Sequence, residues 1–386
     1  MTSPPDPDDG GDVIEKLAVF HLQLPVLSVR KHGVGDVSNT VDVVYAALAT
    51  RDGVIGWGEA SPWAVFTGTA EANAAALDRY LRPVVIGRRV RNLPAIMADC
   101  DRAIAGNSEA KAALESALLD CLGKRAGLPA YMFLGGLAQD KVPLSVSLAD
   151  PDLDADMDLL DRISEDGVGL IKVKTGFADH GFDMKRLEAF KKRRPDIDLR
   201  IDYNQGLEPF GALSRLRDVE CFNPTFIEQP VRADLWQVMA SLTAAIDTPV
   251  LADESVFSVS ELVRAMESRI ANGVSVKIMK SGGLRSGQAI AAAAAANGWG
   301  VYSGDMFETG LAHRAGLHMI AASPAFGLGC EFYQSRYYLR HDPVVETLEL
   351  DKGCLCVPNR PGLSATIDSD IIARFTVMRS GDDLPI

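Results

Sequence analysis

What most constrains this chain is a repeat. From about Val142, short apolar runs alternate with amphipathic stretches: Pro143-Leu-Ser-Val-Ser, Leu170-Ile-Lys-Val-Lys, Leu199-Arg-Ile-Asp, Thr225-Phe-Ile-Glu, Val250-Leu-Ala-Asp, Val274-Ser-Val-Lys, Gly300-Val-Tyr-Ser-Gly and Gly327-Leu-Gly-Cys-Glu. Strand-like runs separated by helical spacers bury both faces in a parallel sheet covered by helices. Eight such units predict an α/β fold, a modified (β/α)8 TIM-type barrel over residues 136–335. That span is short for a barrel of this kind, which usually takes roughly 250 residues, so the eighth unit is expected to be irregular.

The flanking sequence reads differently. Val13 to Leu27 and Val41 to Ala49 are rich in β-branched residues, Arg51-Asp-Gly53 is a turn, and Glu71 to Leu81 and Ser108 to Leu122 are alanine- and leucine-rich helical stretches. Strands followed by helices predict an α+β capping domain over residues 13–135. Residues 336–386 return to strand-like and turn-rich sequence and are expected to pack back on that domain. Residues 1–12, rich in Pro, Asp and Gly, are expected to form a disordered acidic tail and lack the pattern of a secretory signal.

Composition narrows the partners. With 39 Lys and Arg against 52 Asp and Glu, the net charge of −13 disfavours phosphate backbones and anionic membrane surfaces. The near-apolar run Ala289 to Ala296 is far shorter than the roughly 18 residues that cross a bilayer. Six cysteines without zinc spacing fit a reducing cytoplasm.

The chemistry lies where polar residues end the apolar runs. Lys174, Asp202, Glu228, Asp253 and Lys277 follow one another at intervals of 28, 26, 25 and 24 residues, each about one βα unit, so their side chains converge on one barrel mouth. Any one of these acids alone reads as a helix cap; three on consecutive strands do not. Three inward carboxylates require a cation, and oxygen-only ligation points to Mg²⁺ or Mn²⁺. Lys172 shares the orientation of Lys174, two residues on in a strand, and is expected to lower its pKa so that it serves as a base. Lys277 is expected to approach from the opposite face.

These residues carry a resemblance. Lys172-Val-Lys174, Ile201-Asp202-Tyr-Asn204, Ile227-Glu228-Gln-Pro230, Ala252-Asp253-Glu254-Ser255 and Val276-Lys277-Ile-Met-Lys280 resemble the enolase superfamily, specifically its muconate lactonizing subgroup. Gly56-Trp-Gly-Glu59, Asp305-Met-Phe-Glu308 and Gly329-Cys-Glu331 extend the likeness over nearly the whole chain. The resemblance implies a carboxylate substrate held at Mg²⁺ or Mn²⁺ by Asp202, Glu228 and Asp253, with proton transfer at the carbon α to that carboxylate. It further implies Lys174 and Lys277 as acid and base, Asn204 and Glu254 as supports for the ligands, and a homo-oligomer.

Within the subgroup, Glu331 favours cycloisomerisation of cis,cis-muconate, with racemisation or epimerisation of N-acylamino acids or dipeptides as the alternative. Asp305 and Glu331-Phe-Tyr-Gln-Ser335 depart from the usual pattern on the substrate side. The loop Arg30-Lys31-His32-Gly-Val-Gly35 is expected by resemblance to cover the mouth, with Lys31 and His32 neutralising a distal substrate carboxylate and the glycines acting as hinges. Trp63 is a candidate substrate contact; Trp57, His313 and His318 are expected to be structural.

Overall fold

The structure, a computed structural model, describes residues 10–384. Seven barrel strands, β1 (Ser145–Leu148), β2 (Leu170–Lys174), β3 (Asp198–Asp202), β4 (Ile227–Glu228), β5 (Val250–Ala252), β6 (Gly273–Val276) and β7 (Gly300–Ser303), lie side by side in chain order. All pairings are parallel, with helices in the connections, and Val146, Ile171, Val173, Ile201 and Ile227 are fully buried. The expected eighth strand shrinks to one residue. Cys330 bridges Leu144 on one side and Ser303 on the other, which closes the ring. Gly329 explains the brevity: it sits at φ +75°, and a β-carbon there would lie 2.4 Å from the carbonyl oxygen of Pro143. Only glycine lets the chain pass so close, and the left-handed turn then ends the extended run.

The capping domain is a four-stranded antiparallel sheet in the order Thr376–Gly381, Ile14–Pro25, Thr40–Thr50, Ile55–Ala60. Helix Ser108–Ala126 is buried on nearly every side, as a helix wedged between layers must be. It meets the sheet through Asp120, whose carboxylate accepts the backbone N–H of Trp57 at 2.9 Å, and the barrel through Glu115, which accepts that of Arg285 at 3.2 Å. Trp57 is core, as expected.

Two expectations about the flanks are corrected. The segment 336–386 divides: Cys354–Cys356 pairs with Leu350–Asp351 on one side and with Lys141–Pro143, just before the barrel, on the other, and Thr376–Gly381 joins the capping sheet. Residues 1–9 of the expected tail lie outside the described residues. Asp12 is ordered and 4% exposed, because the Arg91 guanidinium holds its carboxylate at 2.6 Å. Among the described residues, no helix is long and apolar enough to cross a membrane.

Candidate active site

Strand alternation aims every second side chain of a barrel strand at the interior. Lys172 and Lys174 of β2 therefore enter one above the other, and Asp202 and Glu228 close β3 and β4 at the same level, as neighbours in register. Asp253 follows β5 directly and Lys277 follows β6. All are buried: the three acids are inaccessible, and Lys174 is 7% exposed.

The charges interlock. Lys174 Nζ lies 2.7 Å from Asp202, while Lys172 Nζ reaches Asp202 at 3.2 Å, Glu228 at 3.0 Å and Glu331 at 2.5 Å. On the far side, Asp253 takes Lys277 at 2.6 Å and Lys280 at 2.8 Å. Asn204 donates its backbone N–H to Asp202 and its amide to Glu254, at 2.8 and 3.2 Å, and Gln229 accepts the backbone N–H of Asp253 at 3.0 Å. These bonds fix the carboxylates in place.

Burial raises all three acids, but the lysines decide the outcome at two. Lys174 and Lys172 pull Asp202 down to about 2, and Lys277 and Lys280 hold Asp253 lower still. Glu228 goes the other way: burial, then the charges of Asp202 and Asp253, outweigh Lys172 and raise it to about 7. Its Oε1 is buried without any partner. Three clustered carboxylates, one with an unmet oxygen and a raised pKa, fit a hard divalent cation.

A proton and a cation compete for Glu228. Apparent Mg²⁺ affinity is therefore expected to fall as the pH drops through about 7, with the protons released per ion rising from about half at that pH towards one below it. Calorimetry in two buffers of different ionisation enthalpy checks this; buffer-independent heats would contradict it.

Above the triad is a cavity of about 30 Å³, room for one water, lined by His32, Trp63, Phe66, Lys174, Asn204, Lys277, Asp305, Met306, Phe307, Glu331, Tyr333 and Gln334. His32, Trp63 and Phe307 roof it as three edge-on rings with centroids 5.0 to 5.6 Å apart. These rings must part to admit a substrate.

Three expectations change here. Lys31 does not reach the cavity; its ammonium pairs with Asp36 across the hairpin at 2.7 Å. His32 does line it but is neutral, because burial and then Lys174 hold its pKa well below the usual value. Neither supplies positive charge to a distal carboxylate. Lys172 is absent from the cavity wall; it lies beneath, clamped by three carboxylates that, after burial has pulled it down, raise its pKa well above that of a free lysine. Its contacts are with Asp202, Glu228 and Glu331.

Gly33 is no hinge. A β-carbon there would meet the carbonyl oxygen of Tyr203 at 2.2 Å and that of Asn204 at 2.6 Å, so the hairpin Arg30–Val37 lies flush on the loop that follows Asp202. Gly33→Ala is expected to lift the roof and lower kcat/KM by about tenfold or more with little change in Tm, since displacements near 1 Å are that costly; unchanged kinetics would mean that this contact does not position the roof.

Sequence reasoning missed Lys280, Gln229 and Ser147, whose hydroxyl hydrogen-bonds Glu331. The i,i+3 spacing of Lys277 and Lys280 was the available signal for the first. It also left Glu308 and His313 outside the site. Asp305, Glu308 and His313 are buried with potential ligand atoms within 4.8 Å of one another. His318 is buried away from the cavity, beside Tyr131.

Residues 26–135 match the family model "Mandelate racemase / muconate lactonizing enzyme, N-terminal domain", and residues 156–371 match "Enolase C-terminal domain-like". The L-Ala-D/L-Glu epimerase of Clostridium acetobutylicum is 32% identical over 315 residues, 80% of this chain and 87% of that protein. A muconate cycloisomerase structure from Azorhizobium caulinodans is 40% identical with a TM-score of 0.82, covering 95% and 98% of the two chains. The N-succinyl Arg/Lys racemase of Bacillus cereus superposes with a TM-score of 0.90 at 28% identity, covering 96% and 100%. Enzymes of this family use a divalent metal, usually Mg²⁺. With both domains matched and the strand-end carboxylates and lysines in one mouth, the chain belongs to the enolase superfamily, in the subgroup typified by muconate lactonizing enzyme.

Proposed function

We propose that the protein is a divalent-metal-dependent isomerase that moves a proton at the carbon α to a substrate carboxylate, as a racemase or epimerase. The observation that carries this reading is the placement of two buried lysines, Lys174 beside Asp202 and Lys277 beside Asp253, on opposite flanks of the carboxylate triad. Asp202, Glu228 and Asp253 would hold the cation, which supplies the positive charge that stabilises negative charge on the substrate carboxylate. One lysine then accepts the proton from one face of the α-carbon and the other donates from the opposite face, inverting the centre. Asp202 and Asp253 fix where each Nζ stands, Lys172 fixes the positions of Glu228 and Glu331, and the aromatic roof excludes water.

The experiment is proton NMR in deuterated water with Mg²⁺, using both enantiomers of N-acylamino acids and epimeric dipeptides. Loss of the α-proton signal from both forms, abolished by chelation, is the expected result. The relatives named above as an epimerase and a racemase support this reading. The sequence expectation of muconate cycloisomerisation becomes the second reading, favoured by the 40% identical structure. Its sign would be metal-dependent loss of the ultraviolet diene band of cis,cis-muconate without α-proton exchange in the other compounds. It ranks second because Lys31 and His32 leave a second carboxylate without a counter-charge.

A further inference from the structure

The two lysines at the mouth are anchored differently. On the Lys277 flank, main chain holds main chain: the Lys277 carbonyl oxygen accepts the backbone N–H of Ser281 at 3.1 Å, and that of Val276 accepts Gly304 at 3.0 Å. On the Lys174 flank a side chain takes over. β3 pairs with one edge of β2 as far as Lys174, but on the other edge the ladder with β1 ends at Leu148 and Val173. Where it stops, the guanidinium of Arg186 bridges the two strand ends. Nη1 donates to the carbonyl oxygen of Lys174 at 2.5 Å, and Nη2 to that of Leu148 at 3.1 Å.

Arg186 belongs to helix His180–Arg193, which presents Asp183 three residues earlier on the same face. The Asp183 carboxylate accepts the backbone N–H of Gly176 at 2.9 Å. The joint between β2 and its loop is therefore gripped on both sides of Thr175.

Arg186 is fully buried, and its charge is met by Asp156 at 2.6 Å, a residue 1% exposed in helix Leu153–Glu165. The rings of Phe177, Phe182 and Phe190 have their centroids 5.2 to 5.7 Å from its Cζ. A buried ion pair adds little net stability over apolar side chains of the same volume, so stability does not account for this one. Position does, because a planar fork serves two carbonyls and a carboxylate at once, which a lysine ammonium cannot reproduce. Arg186 is absent from the cavity wall and so acts through Lys174.

We infer that Arg186, held by Asp156, positions Lys174 for proton transfer by fixing its main chain, and has no such influence on Lys277. This rests on the two-lysine reading above. Disturbing Arg186 therefore lets Lys174 drift relative to the α-carbon and impairs proton transfer on one face of the substrate only.

The test is α-proton exchange, resolved by configuration and followed by proton NMR in deuterated water with Mg²⁺, on the N-acylamino acids and epimeric dipeptides named above. Lys174→Ala identifies the configuration that gives its proton to Lys174. In Arg186→Lys, which keeps a charge opposite Asp156 but loses the fork, kcat for that configuration is expected to fall about tenfold or more with KM within about threefold, while the opposite configuration stays within about twofold. The double variant Arg186→Met, Asp156→Leu leaves no orphan charge and is expected to show the same one-sided loss. Equal loss with both configurations would make Arg186 a general support of the fold, and unchanged rates in the double variant would leave Lys174 in place without it. Either overturns the inference.

A second readout needs no substrate. Competitive acetylation with acetic anhydride, resolved by peptide mass spectrometry, is expected to label Lys174 about threefold or more faster in Arg186→Lys and to label Lys277 at the wild-type rate. Faster labelling of both lysines, or of neither, overturns the inference. One-sided labelling without α-proton exchange from any compound would sink the proton-transfer reading alone, whereas exchange from both configurations that is indifferent to Arg186 would sink this inference alone.

Discussion

Lys174→Ala is expected to lower turnover by about 10³-fold while Mg²⁺ affinity stays the same or rises. The first effect follows from removing a positioned proton carrier, whose contribution is typically 10² to 10⁴. The second follows from the geometry: the variant deletes a cation 2.7 Å from Asp202 and leaves that carboxylate paired with Lys172 at 3.2 Å. With inversion by two lysines, the variant also separates the two half-reactions. It should lose α-proton exchange with one enantiomer and keep it with the other, where Lys277 faces the proton; Lys277→Ala should show the mirror pattern. Steady-state kinetics, calorimetry and NMR exchange read these quantities. Wild-type turnover in Lys174→Ala would take that lysine out of the mechanism, and equal loss of exchange with both enantiomers in each variant would take away the division of labour.

Glu228→Gln is expected to weaken Mg²⁺ binding by about 10²-fold or more, at or above the top of the range usual for losing a partner of a ligand. The metal-free protein is expected to respond differently. The folded pKa of Glu228 is raised from 4.5 to about 7, chiefly by burial, so the folded state holds a proton that the unfolded state releases. Its contribution is fully favourable below 4.5 and is lost as the pH climbs towards 7. Without metal, wild type should therefore lose stability relative to Glu228→Gln between pH 5 and pH 8. With Mg²⁺ the order should reverse, because the ion stabilises wild type by mass action. Melting curves at the two pH values, with and without Mg²⁺, give four numbers for each protein. A Mg²⁺-induced rise in Tm as large in the variant as in wild type would remove Glu228 from the ligand set.

The barrel and its charged ring were legible in the sequence because a βα repeat converts spacing into position. Intervals of 24 to 28 residues brought Lys174, Asp202, Glu228, Asp253 and Lys277 to one rim, where the structure has them. What the repeat does not encode was read less well. The eighth unit dissolves into a single bridging residue because Gly329 must skirt Pro143, a contact between segments that periodicity does not report. Lys31 sits in a basic stretch, yet the hairpin register sets it opposite Asp36 and turns it outward, while His32 turns inward and gives up its charge to burial. Lys172 looked like a catalytic partner of Lys174 from strand alternation alone. One layer deeper in the barrel it meets three carboxylates and becomes part of their scaffold. Asp305 stood out as a departure, but the buried carboxyl pair it forms with Glu308 was not read from the sequence.

The capping sheet pairs Leu17 with Asp382, 365 residues away, and lays Thr376–Gly381 along the outer edge of Ile14–Pro25. This has a consequence for the order in which the molecule matures. Each barrel strand finds its neighbour a few tens of residues downstream, so the barrel can assemble as the chain leaves the ribosome. Ile14–Pro25, by contrast, carries a bare hydrogen-bonding edge throughout that time, until residue 381 has been synthesised. Every residue assigned here to proton transfer or metal ligation is in place long before then. A nascent chain thus acquires its reactive centre first and the finished edge of its cap last, and a product truncated ahead of Thr376 would fail through aggregation rather than through chemistry.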